Sequence, residues 1–80
     1  MKKVRVQYFA VLREQRGRGE ETCETQAATP LDLYDELRAR HHFTLPPERI
    51  RAAINDEFAA PGAALRDGDR VVFIPPVAGG

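Results

Sequence analysis

From Lys3 to Tyr8 the chain alternates. Val4, Val6 and Tyr8 fall on one face and Lys3, Arg5 and Gln7 on the other, the period of two that marks a strand. At Phe9 the period changes: Phe9, Leu12 and Arg16 stand at helical spacing, and Gly17 closes a short helix. Glu20–Thr25 is polar with interspersed threonine and is predicted to return antiparallel to the first strand as an edge. A longer helix follows. Thr29 is a good N-cap, Pro30 occupies the first helical position where its missing N–H costs nothing, and Asp32 complements the dipole. Leu33, Tyr34 and Leu37, with Leu31 nearby, form its expected buried stripe, while Asp35, Glu36, Arg38 and Arg40 face water. His41, His42 and Phe43 end it, and Pro46-Pro47 enforces an irregular crossover.

The remainder reads as strands. Arg51–Asn55 is a short strand turning at Asn55-Asp56, with Glu57-Phe58-Ala59 as a brief return. Pro61-Gly62 breaks the chain, and Leu65-Arg66-Asp67-Gly68-Asp69 makes a tight turn in which Asp-Gly supplies the positive φ. Val71, Val72, Phe73 and Ile74 then run almost without a polar residue, as a central strand does. The apolar first and last strands belong at the sheet centre, parallel to one another, with the long helix supplying the crossover. The expected fold class is α+β. It is the β-grasp (ubiquitin-like) arrangement, a mixed sheet of about five strands with one main helix and a short helix after the first strand.

Composition narrows the function classes. Eighty residues make one small domain, which buries only about 60% of the surface its unfolded chain exposes and has little room for a deep active-site cavity. The lone Cys23 excludes an internal disulfide framework or a cysteine-based zinc site and suits a reducing compartment. No apolar run approaches the ~20 residues of a membrane span, and no signal peptide follows Met1, so a cytoplasmic location is expected. Twelve basic and twelve acidic side chains cancel, but locally they segregate: residues 1–19 carry a net +5 and residues 20–36 a net −6. If these blocks pair as neighbouring strands they neutralise each other, which argues against nucleic-acid binding. His41 and His42 are adjacent on a helix and cannot share a face, so no metal site is expected.

The candidate chemistry lies in the tail. The domain is expected to span residues 1–74, and residues 75–80 to form an extended tail. Pro75 and Pro76 end the ladder and favour a polyproline II path. Beyond them the side chains shrink through Val77 and Ala78 to Gly79 and Gly80, which can thread a narrow channel and approach another backbone closely. The terminal carboxylate, ionised at pH 7, is a poor electrophile until ATP converts it on a partner enzyme to a mixed anhydride. A sulfur nucleophile could then displace AMP and leave a thiocarboxylate, and no side chain of the domain need act as acid, base or nucleophile. The competing reading is a frayed end. The pairing of a β-grasp body with a Pro-Pro stop and Gly-Gly favours the functional one.

Three stretches carry a family resemblance. Leu65–Val71 leading into Phe73-Ile74-Pro75-Pro76-Val77-Ala78-Gly79-Gly80 resembles the ending of the MoaD family, the small sulfur-carrier subunit of molybdopterin synthase. Val4–Glu14 resembles that family's first strand and short helix, and Ala53-Ile54-Asn55 its third strand and turn. The resemblance implies that the chain is no enzyme by itself but the carrier subunit of a sulfurtransferase complex. It implies adenylation of Gly80 by an E1-like (MoeB-like) adenylyltransferase that uses ATP, with no cofactor bound to the chain. It further implies sulfur delivery to cyclic pyranopterin monophosphate within a large (MoaE-like) subunit, in a heterotetramer of two small and two large subunits. By position, Gly80 bears the sulfur, Gly79 lies in the channel, Phe9, Phe58 and Ile74 form an apolar docking surface, and Arg13 adds a charged rim contact.

Other readings stay open beside this one. Ordinary core packing competes for Phe9, Phe58 and Ile74; Ile74 stands between core and interface, and Phe58 on a short edge strand leans to the interface. Cys23 reads as a small buried hydrophobe. The thiamine-pathway carrier shares fold and Gly-Gly, but the short helix at Phe9–Arg16 argues against it. Carriers for cysteine synthesis or tRNA thiolation, a ubiquitin-like modifier joined through Gly80 to lysines, and a passive binding module remain alternatives.

Overall fold

The alternation at the start of the chain is realised as β1 (Lys2–Tyr8), whose Val4, Val6 and Tyr8 are buried and whose Lys3 and Arg5 are exposed. The computed structural model describes residues 1–60 and 62–76. After β1 come α1 (Ala10–Arg16), β2 (Glu20–Thr25), α2 (Pro30–His41), a 3₁₀ turn at Pro47–Arg49, β3 (Arg51–Ile54), β4 (Glu57–Phe58) and β5 (Arg70–Ile74). The five strands form one mixed sheet in the order β2-β1-β5-β3-β4. β5 is central, parallel to β1 and antiparallel to β3, and β2 is the antiparallel edge beside β1. This is the β-grasp architecture. Among the described residues no helix is long and apolar enough to cross a membrane.

The local signals act as physical chemistry requires. Gly17 ends α1 in the left-handed region at φ 84°, donating its N–H to the Arg13 carbonyl. Thr29 caps α2, its hydroxyl accepting from the Asp32 N–H at 3.1 Å. Gly68 takes φ 87°, and its N–H donates to the Lys3 carbonyl at 2.8 Å, tying the Asp67-Gly68 turn to β1. The charge blocks face each other: Lys3 lies opposite Glu24 in register, and Arg5 pairs with Glu20 at 3.4 Å. Both members of that pair are exposed, so its worth is below about 1 kcal/mol.

One face of the sheet packs on α2. Val4, Val6, Tyr8, Leu12, Leu33, Tyr34, Leu37, Phe43, Leu65, Val71 and Phe73 join in one core. Tyr34 sits at its middle, stacked on Phe43 at 6.0 Å and tilted against Phe73 at 5.3 Å, with its hydroxyl donating to the Leu45 carbonyl.

Several details depart from the sequence reading. Leu31 is 39% exposed and outside the stripe, because at 3.6 residues per turn it lies roughly 200° round the axis from Leu33. Glu36 does not face water but turns to β2, accepting from the Thr25 hydroxyl at 2.6 Å. Leu65, expected in a turn, is buried and donates its N–H to the Ala28 carbonyl, anchoring the loop under the N-terminus of α2. β3 stops at Ile54, because Asn55 and Asp56 both take left-handed φ, 52° and 74°, to make the turn.

Candidate functional site

The central strand β5 runs into Pro75-Pro76, where the expected tail begins, and its register decides what surrounds that junction. Val71 and Phe73 point to α2, so Val72 and Ile74 point to the opposite face. On one side Tyr8 pairs with Phe73, the last pair of that register, and Phe9, still extended at φ −126° and ψ 155°, continues the alternation onto the face opposite Tyr8, the face of Ile74. On the other side Arg51 lies opposite Ile74, Ala53 opposite Val72, and Phe58 opposite Ala53. Neighbouring strands are ~4.8 Å apart, so Phe9, Ile74, Val72, Ala53 and Phe58 form one apolar stripe across the sheet. Its ends are open: Phe9 is 43% and Phe58 71% exposed, with Ile74 half-buried between them. Large apolar side chains clustered on the outside of a small domain mark a contact surface.

Residues far apart in sequence thus meet where the strand hands over to the tail. Pro75 is buried and Pro76 exposed. The expected tail residues Val77, Ala78, Gly79 and Gly80 lie outside the described residues. Arg13, one turn along α1, is exposed and lies against Gly19 on the β2 side of Tyr8, at the far end of the stripe from Arg51. The joint between β1 and α1 is strained. Ala10 enters the helix at φ 52°, a left-handed conformation that costs a residue with a Cβ about 1 kcal/mol. This strain sits directly beside Phe9.

A polar cluster holds α1 in place. Glu21 lies opposite Val6 in register, which turns its carboxylate toward the helices. There it accepts from Arg16 Nε at 2.8 Å, Arg16 Nη2 at 2.7 Å and the Tyr8 hydroxyl at 2.6 Å. Only 11% of its side chain is exposed. The Arg16 hydrogen bonds, aided by Tyr8, outweigh desolvation and hold the Glu21 carboxyl at about 2. Burial, then the Glu21 hydrogen bond, pushes the Tyr8 hydroxyl far above its ordinary range. His41 Nε2 stands 3.8 Å from Glu21, and burial lowers its pKa below the ordinary 6.5. Sequence reasoning passed over this cluster; the one signal that could have found it is strand alternation, which sets Glu21 on the same face as Cys23 and Thr25.

The remaining candidates take quiet roles. Cys23 is 7% exposed within the core, and desolvation raises its thiol pKa, so it packs as a small hydrophobe. Among the described residues no group of His, Cys, Asp or Glu could hold a metal ion. Sequence reasoning passed over Arg51 and Leu31: Arg51 gains its place beside Ile74 only through strand pairing, and Leu31 was placed in the buried stripe.

The ThiS family model matches residues 6–80. The molybdopterin synthase sulfur carrier subunit of Mycobacterium tuberculosis is 39% identical over 87 aligned positions, covering all of both chains. Its namesake from Chlamydomonas reinhardtii is 37% identical, with 96% of this chain and 98% of the relative covered. Among solved structures, small archaeal modifier protein 1 of H. volcanii superposes with a TM-score of 0.78 at 27% identity, covering 96% of this chain and all of that one. A chain of the Amycolatopsis orientalis BexX/CysO complex, a structure of two proteins together, gives 0.69 at 31% identity over 96% and 99%.

Proposed function

The chain belongs to the ThiS family, and from that premise we propose that it is the sulfur carrier subunit of molybdopterin synthase. The observation that carries the reading is the apolar stripe of Phe9, Ile74 and Phe58 at the root of a tail ending in Gly79-Gly80. A carrier needs two things: a terminal carboxylate that reaches into a partner's active site, and a body surface that holds it there. The choice of pathway rests on the two relatives named above, which match over nearly their full lengths.

In this reading an E1-like activating partner binds ATP and the Gly80 carboxylate attacks its α-phosphorus, releasing pyrophosphate and forming the acyl adenylate. A sulfur nucleophile at the oxidation level of hydrosulfide attacks the carbonyl carbon, and AMP leaves with the C–O electron pair. The product is a thiocarboxylate. The tail then enters the large synthase subunit, where the thiocarboxylate sulfur displaces an oxygen from a carbon of cyclic pyranopterin monophosphate and water cleaves the resulting thioester, leaving the sulfur on the precursor and returning the Gly80 carboxylate; two such deliveries build the dithiolene. The domain's own side chains dock and orient; the chain contributes no acid, base or nucleophile beyond Gly80. Phe9, Ile74, Phe58 and the rim residue Arg13 serve both partners in turn.

Reconstitution with the large subunit, the activating enzyme, a sulfur source and pyranopterin precursor tests the proposal. Intact mass should show one oxygen of the chain exchanged for sulfur, and product should form. Deletion of Gly80 should abolish both without altering thermal unfolding. Thiocarboxylate without product would refute the molybdopterin assignment. A second reading, conjugation through Gly80 to lysines of target proteins, is favoured by the likeness to small archaeal modifier protein 1. Gly-Gly remnants on lysines of other proteins would select it.

A further inference from the structure

Sulfur loading at Gly80 needs an activated carbonyl, and an activated carbonyl reacts with any nucleophile that reaches it. A neutral amine or thiolate on the same chain acts at an effective concentration of order mM, so one beside the tail would compete with the incoming sulfur. The bases of this chain are unevenly chosen in that respect: ten are arginine and two are lysine, Lys2 and Lys3. A guanidinium keeps its proton in a protein and is no nucleophile, whereas a lysine amine loses its proton at about 10.4 and then attacks.

Placement sharpens the contrast. β1 and β5 run parallel with Arg5 opposite Arg70 and Tyr8 opposite Phe73, so Lys3 falls level with Gly68, six residues before Ile74. The Lys3 carbonyl accepts from the Gly68 N–H at 2.8 Å, at the end of the sheet away from the tail. Lys2 lies one residue further off, its Nζ donating to the Ala27 carbonyl at 2.7 Å. At ~3.3 Å per residue Lys3 stands ~20 Å from Ile74. Ile74 and Pro75 each precede a proline and are held extended, which carries Pro76 about 6 Å further out. Residues 77–80 reach at most ~14 Å from there and a lysine side chain ~6 Å, a shortfall of about 6 Å. The Cys23 thiol is closed off differently: it is buried in the core opposite Val4, and desolvation raises its pKa. The bases near the tail's root are arginines. Arg51 is exposed opposite Ile74, and Arg13 is exposed against Gly19, whose carbonyl accepts from the Tyr8 N–H.

We propose that Arg51 and Arg13 place positive charge beside the tail without placing a nucleophile there, while the fold holds both lysines beyond the tail's reach, so that activated Gly80 is kept for sulfur. The inference rests on the carrier reading above. A lysine in either place opens a side reaction. Its neutral Nζ attacks the Gly80 carbonyl carbon, AMP leaves with the C–O electron pair, and the nitrogen releases a proton to solvent. The amide formed closes the chain into a ring that no longer accepts sulfur.

The full chain carrying a C-terminal aryl thioester, an acyl donor of the same kind, tests this without any partner. It is held in mildly alkaline buffer, where part of any lysine is neutral, over a wide range of protein concentration, and followed by intact and tandem mass spectrometry. In dilute solution the unaltered chain should only hydrolyse to the carboxylate. Arg51→Lys and Arg13→Lys keep the charge at exposed positions and so leave the fold in place. Each should raise at least about tenfold the yield of a product one water lighter than the carboxylate, linked from the introduced lysine to Gly80 and independent of dilution. A dilution-independent amide joining Lys2 or Lys3 to Gly80 in the unaltered chain would overturn the inference, because the tail would then reach them. So would wild-type yield in both variants, since arginine at those places would protect nothing. Neither result touches the carrier reading, which fails instead if the activating enzyme and a sulfur source leave the Gly80 oxygen unexchanged.

Discussion

Replacing Glu21 by Gln removes the charge that links β2 to the end of α1 while preserving shape and an acceptor for the Tyr8 hydroxyl. In the folded chain the carboxyl stands at about 2 against an ordinary 4.5, chiefly through its hydrogen bonds to Arg16. At about 1.4 kcal/mol per pH unit this corresponds to ~3 kcal/mol. Solvent screening at the Arg16 side, whose side chain is 24% exposed, reduces it to about 2 kcal/mol. Because the folded pKa lies below the unfolded one, the stabilisation is fully present above pH 4.5 and fades as pH falls toward 2. Glu21→Gln should therefore lower the Tm at pH 7 by roughly 8–16 °C for a domain of this size, and the gap to wild type should close in acid. Calorimetric melts of both proteins from pH 7 down to pH 2 make the measurement. Equal Tm values at pH 7, or a gap undiminished at the acid end, would refute the account. The cluster also bears on docking, since Arg16 and Tyr8 fix the two ends of the segment holding Phe9 and Arg13.

Phe58→Asp, at a position 71% exposed, should cost binding to the large subunit roughly 2 kcal/mol or more, about thirtyfold, with an unchanged Tm. A fall in Tm of several degrees would make Phe58 a packing residue instead. Thr29→Ala removes the cap on Asp32 and should destabilise by about 1 kcal/mol, read as a shift in the urea midpoint at constant m-value. Ala10→Gly should move the other way, stabilising by roughly 0.5–1 kcal/mol, because glycine adopts φ 52° without penalty. Any loss of stability there would show that the left-handed joint is unstrained. Acidification through pH 6 should cost stability at His41, whose burial-lowered pKa means that the unfolded chain takes up the proton first; His41→Gln should remove that step from the pH profile of urea unfolding.

Elements bounded by strong local rules were legible from residues alone. Thr29-Pro30 starts a helix, Gly17 and Asp67-Gly68 force left-handed turns, and the alternation of Val4, Val6 and Tyr8 admits little but a strand; each rests on sterics or hydrogen bonding within a few residues. Phe9, Phe58 and Ile74 were named on resemblance, with core packing a live competitor, since sequence does not tell an outward apolar residue from an inward one. What failed was whatever depended on rotation or on a distant partner. Leu31 is apolar beside apolar neighbours, yet the turn of the helix carries it outward. Glu36 looks like a solvated acid until Thr25 is folded against it.

By itself, then, the sequence determined the order of elements and the central place of the last strand, because these follow from periodicity and backbone restriction. Only the tertiary structure decided that Phe9, Ile74 and Phe58 make one surface, that Arg51 stands beside the tail's root and that Glu21 pins α1. Strand register is a non-local choice, made by packing one face of the sheet on α2. Once that face is buried, a shift of one residue would turn every side chain over, so the burial of Val71 and Phe73 sets which residues are left to meet a partner.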